Sequence, residues 1–222
     1  MIKIGVLGGI GPEATGEFYN KLIVKLQESG KIKSNTDFPQ IIVNSIPAPE
    51  LIYDVISDKD LQMYVDGLKE LDSMNVDFIV MVCNTIHLYF DKLQKHVKAP
   101  IIDLRKAVHD NLKKTGVKSV LVLGTPNTIK QGLYRFDSLN TLEPTIEEQK
   151  QMIDAIFLFN KGVEKGKQKD VVKKICEKYL HEGAETVILG CTEFAVMLQN
   201  EVPCVNTIDV LVEETLIKSS SE

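Results

Sequence analysis

The sequence predicts an α/β fold of two pseudo-symmetric parallel-sheet domains facing each other across a cleft, and three observations carry that prediction. Short β-branched runs alternate with longer amphipathic stretches, which is the order of parallel βαβ units. Several of the short runs are apolar on both faces, as strands buried between two helical layers must be. The succession of loops in the first half also recurs in the second. A chain of 222 residues, 44% hydrophobic and 26% charged, has the length for two domains of about 100 residues with their own cores.

Strands are expected at residues 3–7, 41–45, 78–82, 100–102, 119–123, 186–189 and 204–206. Helices are expected at 12–28, 59–74, 104–114, 146–161, 171–182 and 208–218. Pro12 suits a first helical turn, where its missing N–H costs nothing, and Thr145 with Glu148 forms a capping box. Gly116 and Gly183 stop their helices before the next strand. The repeat lies in two pairs of segments. KIGVLGGIGPEAT from Lys3 matches KSVLVLGTPNTIK from Lys118, and DFIVMVCNT from Asp77 matches ETVILGCTE from Glu185. Each half therefore offers a glycine loop and then a cysteine loop.

Composition excludes several classes of function. A net charge of -5 without clustered Lys and Arg argues against a nucleic-acid partner. Lys167, Lys169, Lys173 and Lys174 are interleaved with other residue types and read as a solvated helix face. The first residues open directly on a strand pattern without a basic n-region or h-region, and the apolar runs fall short of the ~18 residues that span a bilayer. The expected setting is cytoplasmic, with no membrane partner. Cys83, Cys176, Cys191 and Cys204 contain no CxxC pair and match no zinc framework, so no metal site is expected.

Cys83 and Cys191 stand at the carboxyl ends of predicted strands, where ligands of parallel α/β sheets bind. Helices starting just after them would aim N–H groups at the site, attracting a carboxylate and lowering a thiol pKa. Polar Asn84-Thr85 and Thr192-Glu193 follow, where a buried filler cysteine would tolerate apolar neighbours. Cys176 and Cys204 are read as such fillers. The loop Gly8 to Ala14 contains G-x-G-x-x-A, but no acidic residue closes the next strand, which offers Asn44 and Ser45. The loop is read instead as a backbone N–H cradle for a small carboxylate. His87, one helical turn after Cys83, could tune that thiol, although its face suits packing; His96, His109 and His181 read as surface residues.

With these motifs in place, the chain resembles the aspartate/glutamate racemase family, most closely its aspartate racemase branch. GVLGGIGPEAT, VCNTIH, LGTPNTIKQGLY, PTIEEQ and LGCTE occur in family order. The resemblance implies a first domain of residues 1–98, to which 207–222 return, a second of 99–206, and the active site between them. It implies cofactor-independent racemisation of an amino acid, aspartate above all, through two bases, Cys83 and Cys191, and a homodimeric assembly. Asn84, Thr85, Thr125, Thr128 and Thr192, with the backbone of Gly9, Ile10 and Gly11, would hold the α-carboxylate, and Lys161 would lie near the distal one. In one respect the chain departs from the pattern. Where many aspartate racemases carry Pro-Asp-Arg, this chain reads Pro49-Glu50-Leu51, and leucine cannot replace a bidentate arginine. Another amino acid as substrate, a non-catalytic carboxylate-binding homologue and a related cysteine-dependent isomerase therefore stand as alternatives.

Overall fold

The computed structural model of the chain describes residues 2–49, 51–52 and 56–220. Its strands form two parallel sheets with the same internal order. In the first, β1 (Lys3–Gly8) lies between β2 (Gln40–Ser45) and β3 (Phe78–Met81). In the second, β4 (Ser119–Gly124) lies between β5 (Asn140–Leu142) and β6 (Thr186–Gly190), and β7 (Cys204–Asn206) follows at the β6 edge. The strand expected at 100–102 reduces to one bridge, Ile79 to Ile101. It holds the place in the first sheet that β7 holds in the second, next to the cysteine strand. Pairing stops there because Pro100 has no N–H to donate and Asp103 already caps the following helix.

Each helix follows from a local pattern. In α1 (Pro12–Glu28), Ala14, Phe18, Leu22 and Leu26 recur at every fourth position and are buried as one stripe. The next helix, α2 (Asp58–Ser73), is capped by Ser57, and α3 (Phe90–Gln94) is a short turn after the first cysteine loop. Asp103 accepts the Arg105 N–H at 3.0 Å to open α4 (Leu104–Thr115), which ends on left-handed Gly116. The remaining helices are α5 (Pro126–Lys130), α6 (Ile146–Asn160), α7 (Lys165–His181), α8 (Thr192–Leu198) and α9 (Thr207–Ser220). The structure departs from expectation at α7, which starts six residues before the predicted 171, because its first turns are polar and exposed and show no apolar period. β5 was not expected at all: its Asn-Thr-Leu lies at a sheet edge without a buried run to betray it.

Period-two alternation in the first sheet divides the core. Ile4, Val6, Phe78, Val80 and Val82 join the larger core, which continues through both faces of β4 and β6. Leu7, Ile79 and Met81 turn to the other side and meet Leu61, Tyr64 and Leu68 of α2. The last helix, α9, packs on α1 and α4, and Lys21 of α1 pairs with Asp209 at 2.6 Å. α1 also packs on α8, so the carboxyl ends of both sheets meet in one region.

Candidate active site

A cavity of about 400 Å³ lies where those strand ends meet. Both cysteine loops reach it: Cys83, Asn84 and Thr85 from beyond β3, and Cys191 and Thr192 from beyond β6. The glycine loops supply Gly9, Ile10 and Gly11 on one side and Thr125 on the other. In each half the glycine that ends the central strand makes room for a threonine of the following helix. A side chain at Gly8 would collide with Thr15, and a Cβ at Gly124 would stand 2.7 Å from the Thr128 methyl.

The first loop owes its shape to left-handed Gly9 and Gly11, at φ of 85° and 89°. Thr15 Oγ1 fastens it, accepting the Gly9 N–H at 3.0 Å and donating to the Gly11 carbonyl at 3.3 Å. Gly9 is thereby removed from the expected cradle of amides. Among the described residues, the Ile10 and Gly11 N–H groups carry no hydrogen bond. Gly11 has a second role, since a Cβ there would lie 2.8 Å from Glu193 Oε1. The carboxylate of Glu193 enters the cavity through the space that glycine leaves.

Three threonine hydroxyls form a buried cluster. Thr85 Oγ1 lies 3.2 Å from Thr125 Oγ1 and 2.9 Å from Thr128 Oγ1, and Thr125 also caps α5 through the Thr128 N–H. Thr128 sits behind the other two and does not line the cavity. Asn84 is engaged at both ends of its carboxamide. Its Nδ2 donates to Thr207 Oγ1 at 3.1 Å, and its Oδ1 accepts from the Tyr134 hydroxyl at 2.5 Å. Thr207 in turn donates to the Leu189 carbonyl. That chain ties the Cys83 loop to the start of α9 and to β6. His87 is buried, with Nδ1 2.8 Å from the Cys83 carbonyl oxygen and Nε2 3.3 Å from that of Ile102. Burial lowers its pKa, so the ring is neutral and pins the cysteine's backbone rather than its sulfur.

The sequence predicts lowered thiol pKa values, and the structure reverses this. Burial pushes the Cys83 thiol up to about 12, with Glu193 adding to the rise. The N–H groups of Ile86 and Thr85 act in the predicted direction, but desolvation outweighs them. One reason is that only a short 3-10 turn, Thr85–Tyr89, follows Cys83, so few aligned peptide dipoles stand behind it. Cys191 is raised well above its ordinary value, by burial first and then by Glu193. Its Sγ–H donates to Glu193 Oε2 at 2.9 Å, and the Thr192 hydroxyl donates to the same oxygen at 3.2 Å. Glu193 is the residue that sequence reasoning overlooked. It stands in the LGCTE motif, but only the fold shows its carboxylate against the Cys191 thiol and the glycine loop.

The rest of the lining is apolar: Ala48, Leu51 and Ile52 after β2, and Ile156 from α6, with Asn160 at the end of that helix. Lys161, one residue further, is exposed and outside the lining. Glu13 lines the mouth, where it pairs with Lys165 of α7. Of the Pro49-Glu50-Leu51 segment, Glu50 lies outside the described residues, whereas Leu51 is buried against the cavity.

Two parallel sheets of matching order, each delivering a cysteine loop to a shared cavity, define a two-sheet α/β protein with paired cysteines at its candidate site. The chain belongs to the Asp/Glu/hydantoin racemase family, whose model matches residues 7–215, and it is thus an isomerase of the amino-acid racemase group. It is 24% identical over 221 residues to the broad specificity amino-acid racemase RacX of Bacillus subtilis (strain 168), covering 96% of each chain. Over 134 residues it is 31% identical to a glutamate racemase of Aquifex pyrophilus, covering 57% of this chain and 50% of that one. The fold superimposes on the Picrophilus torridus aspartate racemase with a TM-score of 0.81 at 24% identity, covering 99% of this chain and 94% of that one. An aspartate racemase homologue from Pyrococcus horikoshii gives a TM-score of 0.74 at 27% identity, with each chain fully covered.

Proposed function

We propose that this chain inverts the α-carbon of a free amino acid by two-base chemistry without a cofactor, Cys83 and Cys191 serving as opposed acid and base. The observation that carries the reading is the delivery of two buried thiols, on equivalent loops of two sheets, to one cavity that also holds hydrogen-bond donors. The hydroxyls of Thr85, Thr125 and Thr192, once turned from their present partners onto the substrate, and the amides of Ile10 and Gly11 would bind the α-carboxylate. They would also stabilise the negative charge that spreads onto it as the α-proton leaves. One such preorganised donor is typically worth about 10²–10³ in rate.

A thiol held near 12 cannot serve as base by ionising into water at neutral pH. Glu193 supplies the route. Its Oε2, the acceptor of the 2.9 Å hydrogen bond from Cys191 Sγ, would receive that proton only as the substrate's α-ammonium group enters the cavity and offsets the burial that disfavours a thiolate. That thiolate removes the α-proton from one face, and the Cys83 Sγ–H gives its proton to the other. The result is a Cys191 thiol, a Cys83 thiolate, a protonated Glu193 and the mirror-image amino acid, and return of the Glu193 proton to Cys83 restores the resting site. In the reverse direction Cys83 is the base.

Incubation with single enantiomers in D₂O tests this. Racemisation should place deuterium at Cα, and Cys83→Ser and Cys191→Ser should each cut racemisation by at least ~10³, in line with the loss of a positioned acid or base. Each variant should keep solvent exchange of one enantiomer only, the one facing the surviving thiol. No exchange with any amino acid would exclude the reading. A second reading is a non-catalytic binder of small carboxylates, favoured by thiols that burial keeps protonated. Calorimetric binding without exchange would support it.

A further inference from the structure

Resting on that racemase reading, we infer that the side-chain end of the cavity is built for a neutral, aliphatic amino acid rather than for aspartate or glutamate. Away from the cysteines and threonines, the wall among the described residues is Ile10, Pro12, Ala48, Leu51, Ile52 and Ile156, with the neutral side chain of Asn160. Leu51 and Ile52 keep only 4% and 3% of their surface exposed, so both are packed into that wall. The charged groups on the lining are Glu13 and Glu193, both acids. A second substrate carboxylate would leave water, lie in the field of Glu193 and find no cation, which is the costly case of an unpaired buried charge.

Among the described residues no cation lines the cavity, and both arginines are paired with acids. The chain contains two arginines: Arg105 is held by Asp103 at 2.8 Å, and Arg135 by Glu143 at 2.5 Å. Lys165, beside the mouth, is neutralised by Glu13 and lies 4.5 Å over the Phe159 ring. Lys161 is exposed outside the lining. Residues 50 and 53–55, which flank Leu51 and Ile52, are Glu, Tyr, Asp and Val, so their sequence brings no cation either. An aliphatic side chain meets none of these costs. It displaces water from apolar wall and leaves the acids as they are.

The test is α-deuterium exchange by the wild-type protein on equal concentrations of alanine, valine, leucine, methionine, aspartate, glutamate and lysine. Leucine, methionine or valine should show kcat/KM at least ~100-fold above aspartate and glutamate. Leu51→Arg should lower the aliphatic values and raise that of aspartate, and Ala48→Arg gives the same comparison should the first variant not fold. Preference for an acidic or a basic amino acid would overturn the inference while leaving the racemase reading intact. Should no amino acid exchange, the racemase reading fails, and calorimetry with leucine and aspartate still decides the wall's preference. Tighter leucine sustains the inference; tighter aspartate, or no binding of either, ends it.

Discussion

Glu193 acts on both thiols, raising each, yet only Cys191 bonds to it. Two opposite effects should therefore separate in Glu193→Gln. Removing the negative charge should bring the thiolate absorbance of both cysteines in at lower pH. Removing the proton acceptor should slow racemisation at neutral pH by about 10², within the usual range for a general base. The deficit should shrink as pH rises and the thiols ionise without help; a deficit constant across pH would show that Glu193 only shapes the site. The two cysteines, with Thr85 and Thr192 beside them, were legible in the residues themselves, because polar residues follow two thiols at strand ends, whereas Thr125 and Thr128 came from the family resemblance. Glu193 was not legible, because a spacing of two residues says nothing of reach. Its place depends on Gly11, some 180 positions earlier in the chain, having no side chain.

Among the elements, α6 shows how completely a local motif can set a helix boundary. Thr145 Oγ1 accepts the Glu148 N–H at 3.3 Å, and Glu148 Oε2 accepts the Thr145 N–H at 2.9 Å, as the capping-box spacing predicts. Burial alone would raise the Glu148 pKa, but Lys178, the Thr145 N–H and the Tyr179 hydroxyl together bring it down to about 2. A depressed carboxyl stabilises the fold above its unfolded pKa of ~4.3, and that contribution is lost as pH falls toward 2. Urea unfolding should show Thr145→Ala less stable by about 1 kcal/mol at pH 7. Glu148→Gln should lose much of the difference in midpoint between pH 5 and pH 3; an unchanged difference would show that the carboxyl is not responsible. Long periodic helices and apolar strands could be read in the same way from sequence. The turns after the cysteines, the edge strand β5 and the polar start of α7 carry no such period, and tertiary contacts decide them.

For the molecule as a whole, the thiols link catalysis to stability. Cys83 and Cys176 are both pushed up to about 12, Cys204 to about 11, and Cys191 well above its ordinary value, by burial in each case. In the unfolded chain they ionise near ~8.5, so above that pH the folded state binds more protons and stability falls with pH. Below ~8.5 the contribution is fully present, and each pH unit above it costs about 1.4 kcal/mol per buried thiol. The urea midpoint should therefore drop between pH 7.5 and pH 10, and drop less in Cys176→Ala; a flat midpoint would show the thiols to be open to solvent. The matching strand orders β2-β1-β3 and β5-β4-β6 extend the repeat seen in the sequence from loops to whole sheets. The aliphatic wall of Leu51, Ile52 and Ile156 bears on the geometry of inversion itself. A racemase must accept an object and its mirror image with catalytic efficiencies that balance, since its equilibrium constant is one. A forked ion pair demands a direction, so the two hands would bind it unequally, with kcat offsetting KM, unless the substrate swung about it. Dispersion and water exclusion demand only volume, so in the proposed reaction the same wall would receive both hands while the α-carbon inverts between the two cysteines.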